Sequence, residues 1–212
     1  MKEEMSKARM WDERYAAEGF LFGTAPAAFL SKHAQRLSPG MRTLVVGDGE
    51  GRNSVFLAEA GLEVTSMDIS EVAVAKAQRL AAERGVEVAF SVADILAWPW
   101  TPNAYDLVVA VFIQFLLPQQ RDVVFEGLSA TLRPGGTLML HGYRPEHLEL
   151  GGVGGPPLAE CMYTESVLRA AFPELEVDVL ESYDADLRGG TGHTGTSALI
   201  DFIAHKPVPG AS

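Results

Sequence analysis

The segment Thr43-Leu44-Val45-Val46-Gly47-Asp48-Gly49-Glu50-Gly51-Arg52-Asn53 constrains this chain more than any other. A β-branched run enters three alternate glycines, and a helical pattern begins at once. Glycine is used where a backbone turns sharply or lets a ligand come very close. A strand, a glycine turn and a helix N-terminus together make a nucleotide cradle, with N–H groups aimed outward. The spacing is G-x-G-x-G. The dinucleotide pattern G-x-G-x-x-G is not met, because its third glycine would fall at Arg52 or at Ser54. The turn therefore points away from a dehydrogenase and toward a nucleoside cofactor without a pyrophosphate.

The rest of the chain alternates strand-like and helix-like segments. Strands are expected at 43–46, 63–67 ending at Asp68, 86–92, 106–111, 137–141, 177–183 and 198–204. Helices are expected at 5–18, from Pro26 to about 36, and at 53–60, 71–84, 119–132 and 164–172. Ser70 is placed to cap the helix at 71–84, and Gly61 and Gly85 are placed to stop helices. Helices between most of the first five strands predict an α/β fold. The expectation is a doubly wound, mostly parallel seven-stranded sheet with an antiparallel last strand. The strand at 106–111 is apolar on both faces, which suits a central position. A single domain over 1–212 is expected, with an N-terminal helical lid at about 5–36. The Gly/Pro-rich stretch 150–157 reads as a long loop.

Composition narrows the function. With 212 residues, 47% of them hydrophobic, the chain can bury a full core. The net charge of −11 makes it a poor non-specific partner for phosphate backbones or anionic lipid. The single Cys161 excludes an intrachain disulfide and fits a reducing cytoplasm. The opening residues lack the apolar core of a signal peptide, and the longest apolar run, 107–117, is far too short to span a bilayer. A cytoplasmic protein is expected, with no membrane, nucleic-acid or metal partner; the histidines show no ligand spacing.

Taken together, several motifs resemble the class I S-adenosylmethionine (SAM) methyltransferases, with their Rossmann-like fold. These are the G-x-G-x-G turn after the first strand, Asp68 at the end of the second, Asp94-Ile95 after the third, and Leu132-Arg133-Pro134-Gly135-Gly136 before the fifth. Trp11-Asp12-Glu13-Arg14-Tyr15, Phe22-Gly23 and Pro26 resemble the opening of small bacterial tellurite-resistance and thiopurine methyltransferases. So do Gly154-Gly155-Pro156-Pro157 and the late His193-x-Gly195. The chain departs from the family at three places. Val45 stands where an acidic residue is usual, Asp48 where Cys is frequent, and Gln114 where many relatives have His.

The resemblance implies SAM as cofactor, S-adenosylhomocysteine as product, and a methyl acceptor that is a small molecule, such as a thiol or chalcogen oxyanion. Gly47, Asp48 and Gly49 would approach its methionine and ribose part. Asp68, followed by Ile69, would accept from the ribose hydroxyls. Asp94 would accept from the adenine amino group, and Ile95 would pack on the ring. Val111 and Phe112 would sit beneath the sulfonium. Trp11 and Tyr15 would cover the cofactor, and Arg14 would pair with its carboxylate or with a substrate anion. His193 is the expected acceptor-side catalytic residue, with His141, Tyr143 and Arg144 next.

Plainer readings stay open for each. Asp68 could only cap a helix, Trp11 and Tyr15 could only staple one to the core, and His193 could be a solvated loop histidine. Arg14 could face solvent, Cys161 could be a small semi-buried filler, and Pro134-Gly135-Gly136 reads as a helix stop and turn. Two other functions also remain: a nicotinamide-dependent oxidoreductase, and a non-catalytic SAM-binding module.

Overall fold

The computed structural model describes the backbone of residues 2–210 and the side chains of residues 7–210. Seven strands form the expected sheet, in the order β3-β2-β1-β4-β5-β7-β6. The chain divides into two compact units: residues 1–98 with 189–192, and residues 99–188 with 193–212.

The first unit contains α1 (Lys2–Tyr15), α2 (Ala28–Lys32), β1 (Arg42–Val46), α3 (Arg52–Glu59), β2 (Glu63–Asp68), α4 (Glu71–Arg84) and β3 (Ala89–Val92). Strands β1 and β2 run parallel with Val46 opposite Met67, and β2 and β3 run parallel with Asp68 opposite Val92. Their carboxyl ends therefore lie level. Thr43 to Val46 are all buried, as strands covered on both faces should be. Ser70 caps α4, its hydroxyl accepting from the Ala73 N–H at 3.1 Å, and Gly85 closes the helix at φ 68°. Gly51 begins α3 at φ 87°, where a side chain is strained. A Cβ there would stand 2.6 Å from the Ala77 Cβ, so Gly51 also lets α3 approach α4.

One buried ion pair ties the segment after α1 to the glycine turn. Lys76 Nζ lies 2.9 Å from Glu50 Oε1, and both side chains are almost wholly covered. Lys76 also donates to the carbonyls of Ala17 and Gly19, at 2.8 and 2.7 Å. The other Glu50 oxygen accepts the Leu21 N–H at 2.7 Å. Nearby, the Thr191 and Gly192 N–H groups both donate to the Leu21 carbonyl.

The second unit contains β4 (Tyr105–Val111), α5 (Pro118–Ala130), β5 (Leu132–Tyr143), α6 (His147–Leu150), α7 (Glu165–Ala171), β6 (Glu176–Gly189) and β7 (His193–His205). Strands β4 and β5 are parallel, with Val111 opposite His141; β5 and β7 are antiparallel, with His141 opposite Asp201. The pattern 133–136 differs from its expected role as a turn before the strand. β5 already starts at Leu132 and absorbs those residues as a bulge. Tyr105 pairs with Leu132, but Leu107 pairs with Thr137. Gly135, at φ 78°, bends that bulge, and its N–H reaches the Lys206 carbonyl at 2.7 Å. β6 and β7 also run well past their expected ends. No described helix is long and apolar enough to cross a membrane.

Lys76→Ala would leave Glu50 buried without its cation. Breaking a buried pair this way costs roughly 3–5 kcal/mol. Urea denaturation should register a loss of that order, and limited proteolysis should cut within 17–22 faster than in the wild type.

Candidate active site

The side chains expected to hold a cofactor meet in the first unit. Gly47 and Gly49, at φ 59° and 62°, carry the turn out of β1. Asp68 sits at the end of β2 and binds that turn directly. Its Oδ2 accepts the Gly49 N–H at 2.8 Å, and its Oδ1 accepts the Ser70 N–H at 2.9 Å. A carboxylate has roughly four acceptor positions, so these two donors do not exhaust it. Asp94 lies two residues beyond β3, and its Oδ1 accepts the Leu96 N–H at 2.9 Å. Ile69 is half-buried, whereas Ile95 is buried in the core at 4% exposure, so little of its face is left for a ring.

Helix α1 covers this turn. Tyr15 is buried, and a Cβ on Gly49 would stand 2.7 Å from its hydroxyl; no residue but glycine fits beneath it. Burial, then the charges of Asp68 and Glu50, push the Tyr15 phenol well up, so it remains a donor. Trp11 stacks on Tyr15 with ring centres 5.5 Å apart. Arg14 is exposed, its guanidinium 4.5 Å from the Trp11 ring centre. That placement is the solvent-facing alternative rather than a grip on the turn. Asp12, to which the sequence motif gave no role of its own, fixes α1 in place. Its Oδ1 accepts the Ser70 hydroxyl at 2.6 Å and the Val72 N–H at 3.3 Å.

Asp48 is turned under the loop. Its Oδ2 accepts the Ser66 hydroxyl at 2.9 Å, and Ser54 lies close enough to steady its charge. Its Oδ1 is buried and makes no well-formed hydrogen bond among the described residues. Burial raises its pKa above the usual carboxylate value.

The second unit holds the residues expected on the acceptor side. Val111 is buried at the end of β4, and Phe112 follows it in the left-handed region at φ 58°. The Phe112 ring lies 4.3 Å from His193, 4.7 Å from Tyr143 and 4.8 Å from His141, centre to centre. His193 is buried at the start of β7 rather than solvated in a loop. His141 Nδ1 lies 2.8 Å from Asp201 Oδ1, and Tyr183 donates to the same oxygen at 2.9 Å. Burial and the Asp201 charge push the Tyr183 phenol up, so it keeps its proton. Gln114 is committed to the backbone. Its Nε2 donates to the Tyr143 carbonyl at 2.8 Å, and its Oε1 accepts the Tyr143 N–H at 2.6 Å. Arg144 is also committed, donating to Asp184 at 2.6 Å and to the Leu199 carbonyl at 3.1 Å. Among the described residues no group of three or more His, Cys, Asp or Glu side chains is placed to hold a metal.

Residues 44–136 match the methyltransferase domain family. An uncharacterized protein of Mycobacterium tuberculosis is 29% identical over 182 residues, 86% of this chain and 64% of that protein. The chain thus spans a little under two thirds of the length of that relative. A demethylmenaquinone methyltransferase of Renibacterium salmoninarum is 30% identical over 132 residues, 62% of this chain and 50% of that enzyme. Among solved structures, one concerned with conversion of a disulfide bond into a thioacetal group during echinomycin biosynthesis gives a TM-score of 0.73. It is 21% identical and covers 97% of this chain and 94% of that one. TehB from Haemophilus influenzae gives a TM-score of 0.67 at 18% identity, over 94% of this chain and 67% of that one. These likenesses are of fold: the architecture is the Rossmann-like methyltransferase fold.

Burial pushes the Asp68 pKa up to about 6, against the pull of the Ser70 and Gly49 N–H groups. Below the unfolded pKa both states hold the proton. Between that value and about 6 the folded protein holds a proton that the unfolded chain releases. Stability from this group is therefore complete in acid and is lost as pH rises through the window. Full ionisation costs about 3 kcal/mol at 1.36 kcal/mol per pKa unit. Urea midpoints from about pH 4 to pH 7 should fall more steeply in the wild type than in Asp68→Asn.

Proposed function

We propose that this chain is a SAM-dependent methyltransferase acting on a small molecule. The observation that carries the reading is the Asp68 carboxylate bonded to the Gly49 N–H at the end of β2. That arrangement presents an acceptor for two vicinal hydroxyls beside a turn that only glycine can form. The match of residues 44–136 to the methyltransferase domain family supports it. So does the similarity to an enzyme named for methylating demethylmenaquinone.

The bound cofactor would supply an activated methyl group whose leaving group is a neutral thioether. The chain's own residues would bind and orient. Asp68 would accept from the ribose hydroxyls. Gly47 and Gly49 would bring backbone N–H groups against the methionine portion, and Asp94 would take the adenine amino group. Tyr15, held over Gly49 and stacked by Trp11, would exclude water. Alignment and exclusion of this kind contribute several kcal/mol to a displacement. Val111, Phe112 and His193 are assigned to the methyl-acceptor side by resemblance. A thiol or chalcogen oxyanion remains one acceptor class for a trial panel.

A nicotinamide cofactor is disfavoured by Arg52, which stands where a third glycine is needed and gives its guanidinium to the Phe22 carbonyl at 2.9 Å. Calorimetry should therefore find binding of SAM and S-adenosylhomocysteine and none of NADH. Asp68→Ala should weaken SAM binding roughly tenfold or more, as expected for loss of a charged acceptor. Unchanged affinity in that variant, or NADH binding in the wild type, would overturn the assignment.

A further inference from the structure

Residues 151–155, Gly-Gly-Val-Gly-Gly, form a strap within the second unit. Two backbone hydrogen bonds pin its middle to the start of β7. The Val153 N–H donates to the Thr194 carbonyl at 2.7 Å, and the Thr194 N–H donates to the Val153 carbonyl at 3.2 Å. Against the strap lie the rings of His147 and Tyr143, 4.2 Å apart centre to centre and both buried. The approach is too close for side chains. A Cβ on Gly152 would stand 2.9 Å from His147 Cε1, and one on Gly155 would stand 3.0 Å from Tyr143 Cδ2. One side chain holds the strap down. The Gly154 carbonyl can only accept, so His147 Nε2 carries the hydrogen and donates to it at 3.1 Å.

The closed strap is lightly held. Val153, its only side chain, is exposed and so buries little apolar surface. Leu150 and Leu158, just before and after it, are exposed as well. Its glycines must all be ordered, and glycine loses more chain freedom than any other residue. His147 Nδ1 is buried with no hydrogen-bond partner among the described residues. A polar atom in that state is penalised until a donor reaches it. A segment with few buried apolar contacts and a penalised polar atom opens locally while the core stays folded. Opening bares Tyr143, whose ring also packs on His193 at 5.9 Å and on Phe112 at 4.7 Å.

The charges nearby decide what such an opening can take in. From 145 to 168 the sequence holds Glu146, Glu149, Glu160 and Glu165 and no Lys or Arg. Carboxylates already meet the two nearest arginines. Arg144 lies 2.6 Å from Asp184 and 3.5 Å from Glu146, and Arg121 lies 3.7 Å from Asp122. An anion would face like charge here. The exposed side chains of the strap and its flanks are instead apolar: Leu148, Leu150, Val153 and Leu158. We propose that residues 151–155 are a gate, latched by His147, that opens to admit an uncharged apolar ligand bearing a hydrogen-bond donor. The ligand's donor meets His147 Nδ1, and its apolar body takes the place of the strap against Tyr143. Every residue of the gate belongs to the second unit, so it stands whether or not the chain binds SAM.

The test uses two fluorescent dyes on the full chain. N-phenyl-1-naphthylamine is uncharged, has one N–H and brightens in apolar surroundings; 8-anilino-1-naphthalenesulfonate has the same body and an anionic group. The wild type should bind the uncharged dye about tenfold or more tightly than the sulfonate. Val153→Cys combined with Thr194→Cys should lock the gate. An antiparallel pair that exchanges both hydrogen bonds brings its Cα atoms to about 5.5 Å, within disulfide reach. Oxidised, that variant should bind the uncharged dye about tenfold or more weakly than when reduced by dithiothreitol. Hydrogen exchange reads the latch without any ligand. His147→Ala should speed exchange of the Val153 and Thr194 amides roughly tenfold and leave those of Val109 and Leu140 unchanged. Should the double variant not fold, the dye pair and the exchange rates decide. Unaltered exchange at Val153 and Thr194 would overturn the latch, and so would equal speeding in β4 and β5. Tight dye binding by the oxidised variant would overturn the gate. So would a preference for the sulfonate, or no binding of the uncharged dye by the wild type.

Discussion

The hydrogen bond from the Gly49 N–H to Asp68 is the contact on which the glycine turn of this molecule depends. It joins the turn after β1 to the end of β2, two segments that the parallel register has already brought level. Without it the turn would have a free N–H and Asp68 would point at no fixed target. With it, one carboxylate shapes the turn. The same carboxylate also receives the Ser70 N–H, so the cradle and the start of α4 are built on a single group. Asp12 reaches α4 at that same start, so α1 is oriented by the helix that Asp68 helps to begin.

Three buried acidic groups crowd this turn, and each is accommodated differently. Glu50 has a full cation, Lys76, and two backbone donors. Asp68 meets backbone N–H groups of Gly49 and Ser70, and burial raises its pKa against their pull. Asp48 has a hydroxyl donor from Ser66, with Ser54 near. The order follows the physics of burial: a charge taken from water needs an opposite charge or strong donors, and a group with fewer of them shifts toward its neutral form. Glu50 is thus the structural member.

Most of the architecture was legible because glycine positions and apolar runs are local signals. The strand, turn and helix at 43–59, the Ser70 cap and the Gly85 stop all follow from residues adjacent in sequence. The bulge at 133–136 was not, because a Pro-Gly-Gly stretch reads as a stop; only its pairing with β4 and the bond from Gly135 to Lys206 draw it into a strand. The site shows the same division. Gly49 lies in the turn after β1 and Asp68 at the end of β2, as the motif spacing implied. Glu50–Lys76 and His141–Asp201 are separated by 26 and 60 positions, and no spacing rule links such partners. Nor does sequence tell which way a side chain turns, which is why Ile95, expected on a ligand face, lies in the core.

The three departures from the methyltransferase pattern can be understood from what replaces them. Val45 is buried within β1 at 1% exposure, where an unpaired carboxylate would be costly. Acidity returns three residues later at Asp48, but beneath the loop, bonded to β2 through Ser66. It braces the turn from inside. Gln114 replaces the usual histidine and spends its amide on both backbone groups of Tyr143, fixing the end of β5. A histidine could not make that paired contact, since a neutral ring places its donor and acceptor on different edges. With Tyr143 held there, Phe112 is confined between β4 and the rings of His141 and His193.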